Sequence, residues 1–63
     1  MCLSTVYKNQ QTPDAIVMKN VMRIDIEGDS VILTDLMERT VAIQGTLQTA
    51  NLVEGVVIVK ETV

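Results

Sequence analysis

Short clusters of β-branched residues, each cut off by turn-forming residues at intervals of about ten, commit this 63-residue chain to strands almost everywhere. The clearest segment is residues 21–27, where Met22, Ile24 and Ile26 alternate with Arg23, Asp25 and Glu27. Successive strand residues point to opposite faces, so this pattern predicts a half-buried strand. Gly28-Asp29-Ser30 supplies a tight turn, and residues 31–34 return, which makes 21–35 a β-hairpin.

The remaining segments follow the same logic. A first strand is expected over residues 2–8, then a polar loop over 9–14, where Pro13 cannot donate to a ladder. Residues 15–19 form a short second strand or its first half, with Asn20 as a bend before the chain continues. Residues 35–39 connect to a strand over 40–44, Gly45 breaks or bulges it, and 46–52 resumes. Glu54-Gly55 turns into residues 56–61, whose Val56, Val57, Ile58 and Val59 are apolar on both faces and need cover on both sides. The fold class is therefore all-β: one small domain over residues 1–63, a bent barrel of five or six short antiparallel strands in the SH3-like, Sm-like or OB-like size range.

Size then bears on assembly. A chain this short buries only about 60% of the surface its unfolded form exposes. Hydrophobic residues make up 48% of it, with a single cysteine and hence no internal disulfide to compensate. A homodimer is the expected way to cover the surplus.

Charge and aromatic content narrow the function classes. The net charge is −3 and the pI about 4.5, and the five cations, Lys8, Lys19, Arg23, Arg39 and Lys60, are scattered. A phosphate backbone would meet no basic stripe. Tyr7 is the only aromatic residue and cannot by itself build a base-stacking platform, so nucleic acid is disfavoured. No uninterrupted apolar run exceeds four residues, against the roughly 20 needed to span a bilayer, and the opening residues do not read as a signal peptide. The expectation is a soluble, cytoplasmic protein whose thiol stays reduced.

Catalysis finds little support in the residue types. With no histidine, a Ser-His nucleophile is impossible, and the eight carboxylates fall on turns and polar strand faces, where they read as solvated charge. The three glycines are isolated and form no phosphate-binding loop. Asp25, Glu27 and Asp29 alternate like part of a calcium loop, but no acidic twelfth ligand follows at the spacing an EF-hand requires. No enzyme is expected.

Cys2 is the one residue whose position suggests chemistry. A thiolate is a soft ligand for late transition metals, and main-chain nitrogens lie within one or two bonds of the Cys2 Cα. If Met1 is retained, its amine, the Cys2 amide nitrogen and the Cys2 sulfur close two fused five-membered chelate rings; if Met1 is removed, the Cys2 amine and sulfur close one. A two-fold partner would add a second thiolate, giving a planar nitrogen and sulfur set that suits Ni(II) or Cu(II). A structural zinc site, which usually takes four Cys or His side chains, fits less well. The competing reading makes Cys2 a small packing hydrophobe in the first strand. A third makes it a redox switch that forms a disulfide across a dimer.

The order of these elements resembles one family. Met1-Cys2-Leu3 followed by Val6, then Val21 and Ile24 before Gly28, the run from Val31 to Leu36, Gly45, and the closing Leu52-Val53-Glu54-Gly55-Val56-Val57 are similar to the CooT family, named after a carbon monoxide dehydrogenase accessory factor. The likeness extends over nearly the whole chain; where relatives often carry a glycine after the Asp-Leu pair, this chain has Glu38-Arg39. The resemblance implies an SH3-like barrel, a homodimer, and nickel held through the cysteine after the initiating methionine, here Cys2. It also implies a nickel enzyme such as carbon monoxide dehydrogenase, or its maturation factors, as partner. Relatives are often labelled RNA-binding from their barrel shape, so a small-barrel module engaging RNA or protein, with Cys2 merely packed, is the alternative.

Overall fold

The computed structural model describes residues 3–62. The strands are β1 (Ser4–Lys8), β2 (Ile16–Glu27), β3 (Ser30–Asp35), β4 (Thr40–Asn51) and β5 (Val56–Glu61), and they close into a barrel in the order β1-β2-β3-β4-β5. The fold is all-β, with one turn of 3-10 helix at Pro13–Ala15 inside the polar loop. Four of the five pairings are antiparallel, whereas β1 and β5 run parallel along Thr5–Val56 to Lys8–Val59. That seam brings the first and last strands side by side.

Alternation places the core. Val31, Leu33 and Asp35 of β3, and Val57 and Val59 of β5, point inward with Val6, Val21 and Ile43, while the outward Val56 and Ile58 are half-buried. Seven aliphatic side chains thus form the buried cluster, with Val17, Met18, Ile24 and Val41 packed against it.

Two strands are longer than the sequence pattern suggests because each bends without ending. In β2, Asn20 takes φ 56°, a left-handed conformation that asparagine tolerates better than most residues, and the strand runs on through it. A second irregularity follows at once: Val21 pairs with Asp35 and Arg23 with Thr34, so Met22 is an extra residue on the β2 side. This bulge lets Val21 and Ile24, three positions apart, both reach the core, and it leaves Met22 exposed. Ile26 is exposed as well, at the hairpin tip beyond the core, so the expected Met22-Ile24-Ile26 face is buried only at its centre.

The bend in β4 comes at Gly45. Residues 40–44 pair with β3 and residues 45–51 with β5, so Gly45 is the corner where the strand changes partner. A Cβ at this position would overlap the Lys60 carbonyl oxygen, which explains why only glycine permits the approach. Asn9 pins the other end of β5: its N–H donates to the Val59 carbonyl at 2.8 Å, and its Oδ1 accepts from the Glu61 N–H at 2.9 Å.

Candidate functional site

Met1 and Cys2, the residues expected to hold a metal, lie outside the described residues. Their covalent neighbours define the end of the barrel to which they are attached. The Thr5 N–H donates to the Gly55 carbonyl at 2.8 Å, and the Leu3 carbonyl oxygen lies 3.1 Å from where a Cβ on Gly55 would stand. Gly55 has φ 71°, so the β4–β5 turn folds back tightly against the start of β1. That turn is braced by the Asn51 Oδ1, which accepts from the Glu54 N–H at 3.1 Å.

This end of the barrel carries exposed apolar side chains. Leu52 and Val53 are 63% and 96% exposed, and Met22, pushed out by its bulge, is exposed nearby. A shallow groove of about 290 Å³ runs between Ser4, the β2 segment from Val21 to Ile24, and Leu52. Exposed apolar patches on small proteins commonly mark an association surface.

The other side-chain constellation was not foreseen from the sequence. Asp35, read there as one more solvated carboxylate, is only 2% exposed. Its Oδ1 accepts from the Met37 and Arg39 N–H groups, both at 2.9 Å, and its Oδ2 accepts from Arg39 Nε at 2.8 Å. The Arg39 N–H bond, together with the Met37 N–H and the Arg39 guanidinium, outweighs burial and holds the Asp35 carboxyl below its ordinary pKa. The available signal was an aspartate ending an alternating strand with an arginine four residues on, a spacing that lets a turn wrap around the carboxylate. Beside it, a cleft of about 490 Å³ separates β2 from the β3–β4 turn. Elsewhere, Asp25 pairs with Arg23 at 2.9 Å, and among the described residues no three His, Cys, Asp or Glu side chains gather as a metal-holding group.

Comparison with protein families gives one decisive match. The family model described as CO dehydrogenase accessory protein CooT covers residues 1–60. The chain belongs to the CooT family. A search of curated proteins finds no match. Membership in the CooT family implies an accessory role toward carbon monoxide dehydrogenase, a nickel enzyme, rather than the enzyme's own catalysis. The matched span starts at residue 1, so Met1 and Cys2 belong to it. Among the described residues no helix is long and apolar enough to cross a membrane.

Proposed function

We propose that this CooT protein is a cytoplasmic, single-domain homodimer that holds Ni(II) through Cys2 at the dimer interface and passes it to carbon monoxide dehydrogenase or its maturation factors. Nickel is cargo here, and the barrel is the frame that presents it. The observation that carries the reading is the family match, whose span includes the terminal Met-Cys pair. The donor set fits the metal: a thiolate with an adjacent amine or amide nitrogen, doubled by a two-fold axis, gives the planar strong-field environment that Ni(II) favours. The exposed Met22, Leu52 and Val53 support the dimeric part, because they lie at the end of the barrel to which Cys2 is attached, where a second copy would cover them.

Titration of the reduced protein with Ni(II), combined with sedimentation, tests the assignment. One metal per dimer, a diamagnetic complex and sulfur-to-nickel charge-transfer absorption are expected. Cys2→Ser should retain strand content and dimerisation while losing most nickel affinity. A Cys2→Ser variant that binds nickel as well as the parent would refute the site and direct attention to carboxylates such as Asp25, Glu27 and Asp29.

A further inference from the structure

The barrel is closed along most of its circumference but split at one end. Within β2, Ile16 and Met18 pair with Tyr7 and Val6 of β1 on one edge. On the other edge, pairing with β3 begins only at Val21–Asp35, since β3 ends at Asp35 and Asn20, at φ 56°, bends β2 at the same level. Among the described residues, the stretch 16–19 therefore has a strand neighbour on one side only. The cleft of about 490 Å³ lies along this open edge, with Val17, Met18 and Lys19 on one wall and Arg39, Thr40 and Val41 on the other. Its volume lies within the roughly 300–1,000 Å³ common for ligand sites. The Leu36 N–H donates to the Asn20 carbonyl at 2.9 Å and closes the inner end.

The chemistry of the walls selects an occupant. An open strand edge presents unpaired backbone N–H and C=O groups, which a second extended chain can satisfy. Val17, Met18 and Val41 are half-buried and offer apolar contact above the core. Among the described residues the only carboxylate lining the cleft, Asp35, is buried and already accepts three hydrogen bonds, so the charges turned toward solvent are those of Lys19 and Arg39. Among the described residues no ion pair engages Lys19, and only Nε of the exposed Arg39 guanidinium is tied to Asp35. With Lys19 and Arg39 against the Asp35 carboxylate, the cleft lining carries one net positive charge on a protein of net charge −3.

We infer that the β2 edge at residues 16–19 accepts an extended, acidic segment of a protein partner as an added strand, its carboxylates meeting Lys19 and Arg39 and its apolar side chains meeting Val17 and Val41. Pairing of two copies of this chain through the same edge would bring two Lys19–Arg39 sets together, which like charge opposes. The inference stands independently of nickel and of Cys2.

The test uses the full-length, isotope-labelled protein and a capped eight-residue peptide that alternates valine with glutamate. Two control peptides carry lysine for glutamate, or the original side chains on a backbone N-methylated at every residue, which leaves no N–H on either edge to join a ladder. The glutamate peptide should saturably shift the amide resonances of residues 17–20 and 39–41, and both controls should bind at least about tenfold more weakly, the scale of losing one charge-assisted hydrogen bond. Lys19→Glu, at an exposed position, should weaken glutamate-peptide binding by a similar factor and leave the rest of the amide spectrum in place. The inference is overturned if those amides do not shift, if all three peptides bind equally, or if the same amides shift on raising protein concentration without peptide, which would give the edge to a second copy.

Discussion

Asp35 and Arg39 are joined twice, through the Arg39 N–H to Oδ1 at 2.9 Å and through Arg39 Nε to Oδ2 at 2.8 Å, so one carboxylate fixes both the backbone and the side chain of the turn after β3. The main chain closes the same loop, with the Asp35 N–H donating to the Arg39 carbonyl at 3.0 Å and the Glu38 N–H to the Asp35 carbonyl at 2.9 Å. A turn held at this many points behaves as a rigid part of the barrel, and it forms one wall of the β2 cleft.

The depressed pKa of Asp35 makes that rigidity pH-dependent. In the unfolded chain the carboxyl takes protons at the ordinary aspartate pKa; in the folded chain it resists until the pH is lower. The unfolded state thus binds more protons in that window, and the stabilisation is complete above the ordinary value and lost as pH falls through the depressed folded one. Denaturant midpoints measured across acid pH should show the parent more stable than Asp35→Asn near neutrality, with the gap closing below the folded pKa. A gap independent of pH would mean that the charge is not what stabilises the turn.

Glu38 sits at φ 63°, in the left-handed region where a side chain costs about 1–2 kcal/mol and glycine costs nothing sterically. Part of that gain is cancelled by the larger entropy glycine loses on folding, about 0.5–1 kcal/mol. Glu38→Gly should therefore stabilise the protein by up to about 1 kcal/mol, read as a higher urea midpoint at unchanged m-value.

Gly45 and Gly28 should respond differently to alanine. At Gly28, φ 58° strains any side chain, but nothing lies within 4 Å of the new Cβ, so the cost should stay near 1–2 kcal/mol, as an order of magnitude about that of the left-handed conformation alone. At Gly45 the new Cβ meets the Lys60 backbone, which cannot swing aside, and Gly45→Ala should cost more, roughly 3 kcal/mol or above, or prevent folding. Thermal melts of the two variants side by side decide the ranking.

Leu52→Glu places a charge in the exposed apolar end beside the start of β1. If that end is the dimer face, sedimentation should show a folded monomer with unchanged strand content, and nickel affinity should fall in parallel because each chain keeps only half of the ligands. If Cys2 holds the metal, nickel uptake by the parent should also weaken as pH drops below the cysteine pKa, since the thiol must shed its proton to bind.

Much of the strand order was legible in the sequence because its signals are local. Gly28-Asp29-Ser30 marked the hairpin and Asn20 the bend in β2 through the left-handed backbone that Gly28 and Asn20 adopt, and Gly45 the corner of β4 through its missing side chain. The bulge at Met22 was not legible: it sits at the head of an alternation that looks regular from Met22 onward, and only pairing with β3 reveals the extra residue. The parallel β1–β5 seam was hidden for a related reason, since the direction in which two distant strands meet depends on how the whole ring closes. As for candidate sites, Cys2 stood out by residue type and position but lies outside the described residues, whereas the Asp35 cleft required knowing that β2 and β3 part company at Asn20.

The same seam governs when the protein can exist at all. β1 is the first of the five described strands in chain order, yet one of its two neighbours in the ring is the fifth. Contacts between segments so far apart in sequence slow folding, because a long loop must close before they form. Until β5 takes its place beside β1 the sheet stays unsealed, so the ring closes only when nearly all of the described chain is available to it.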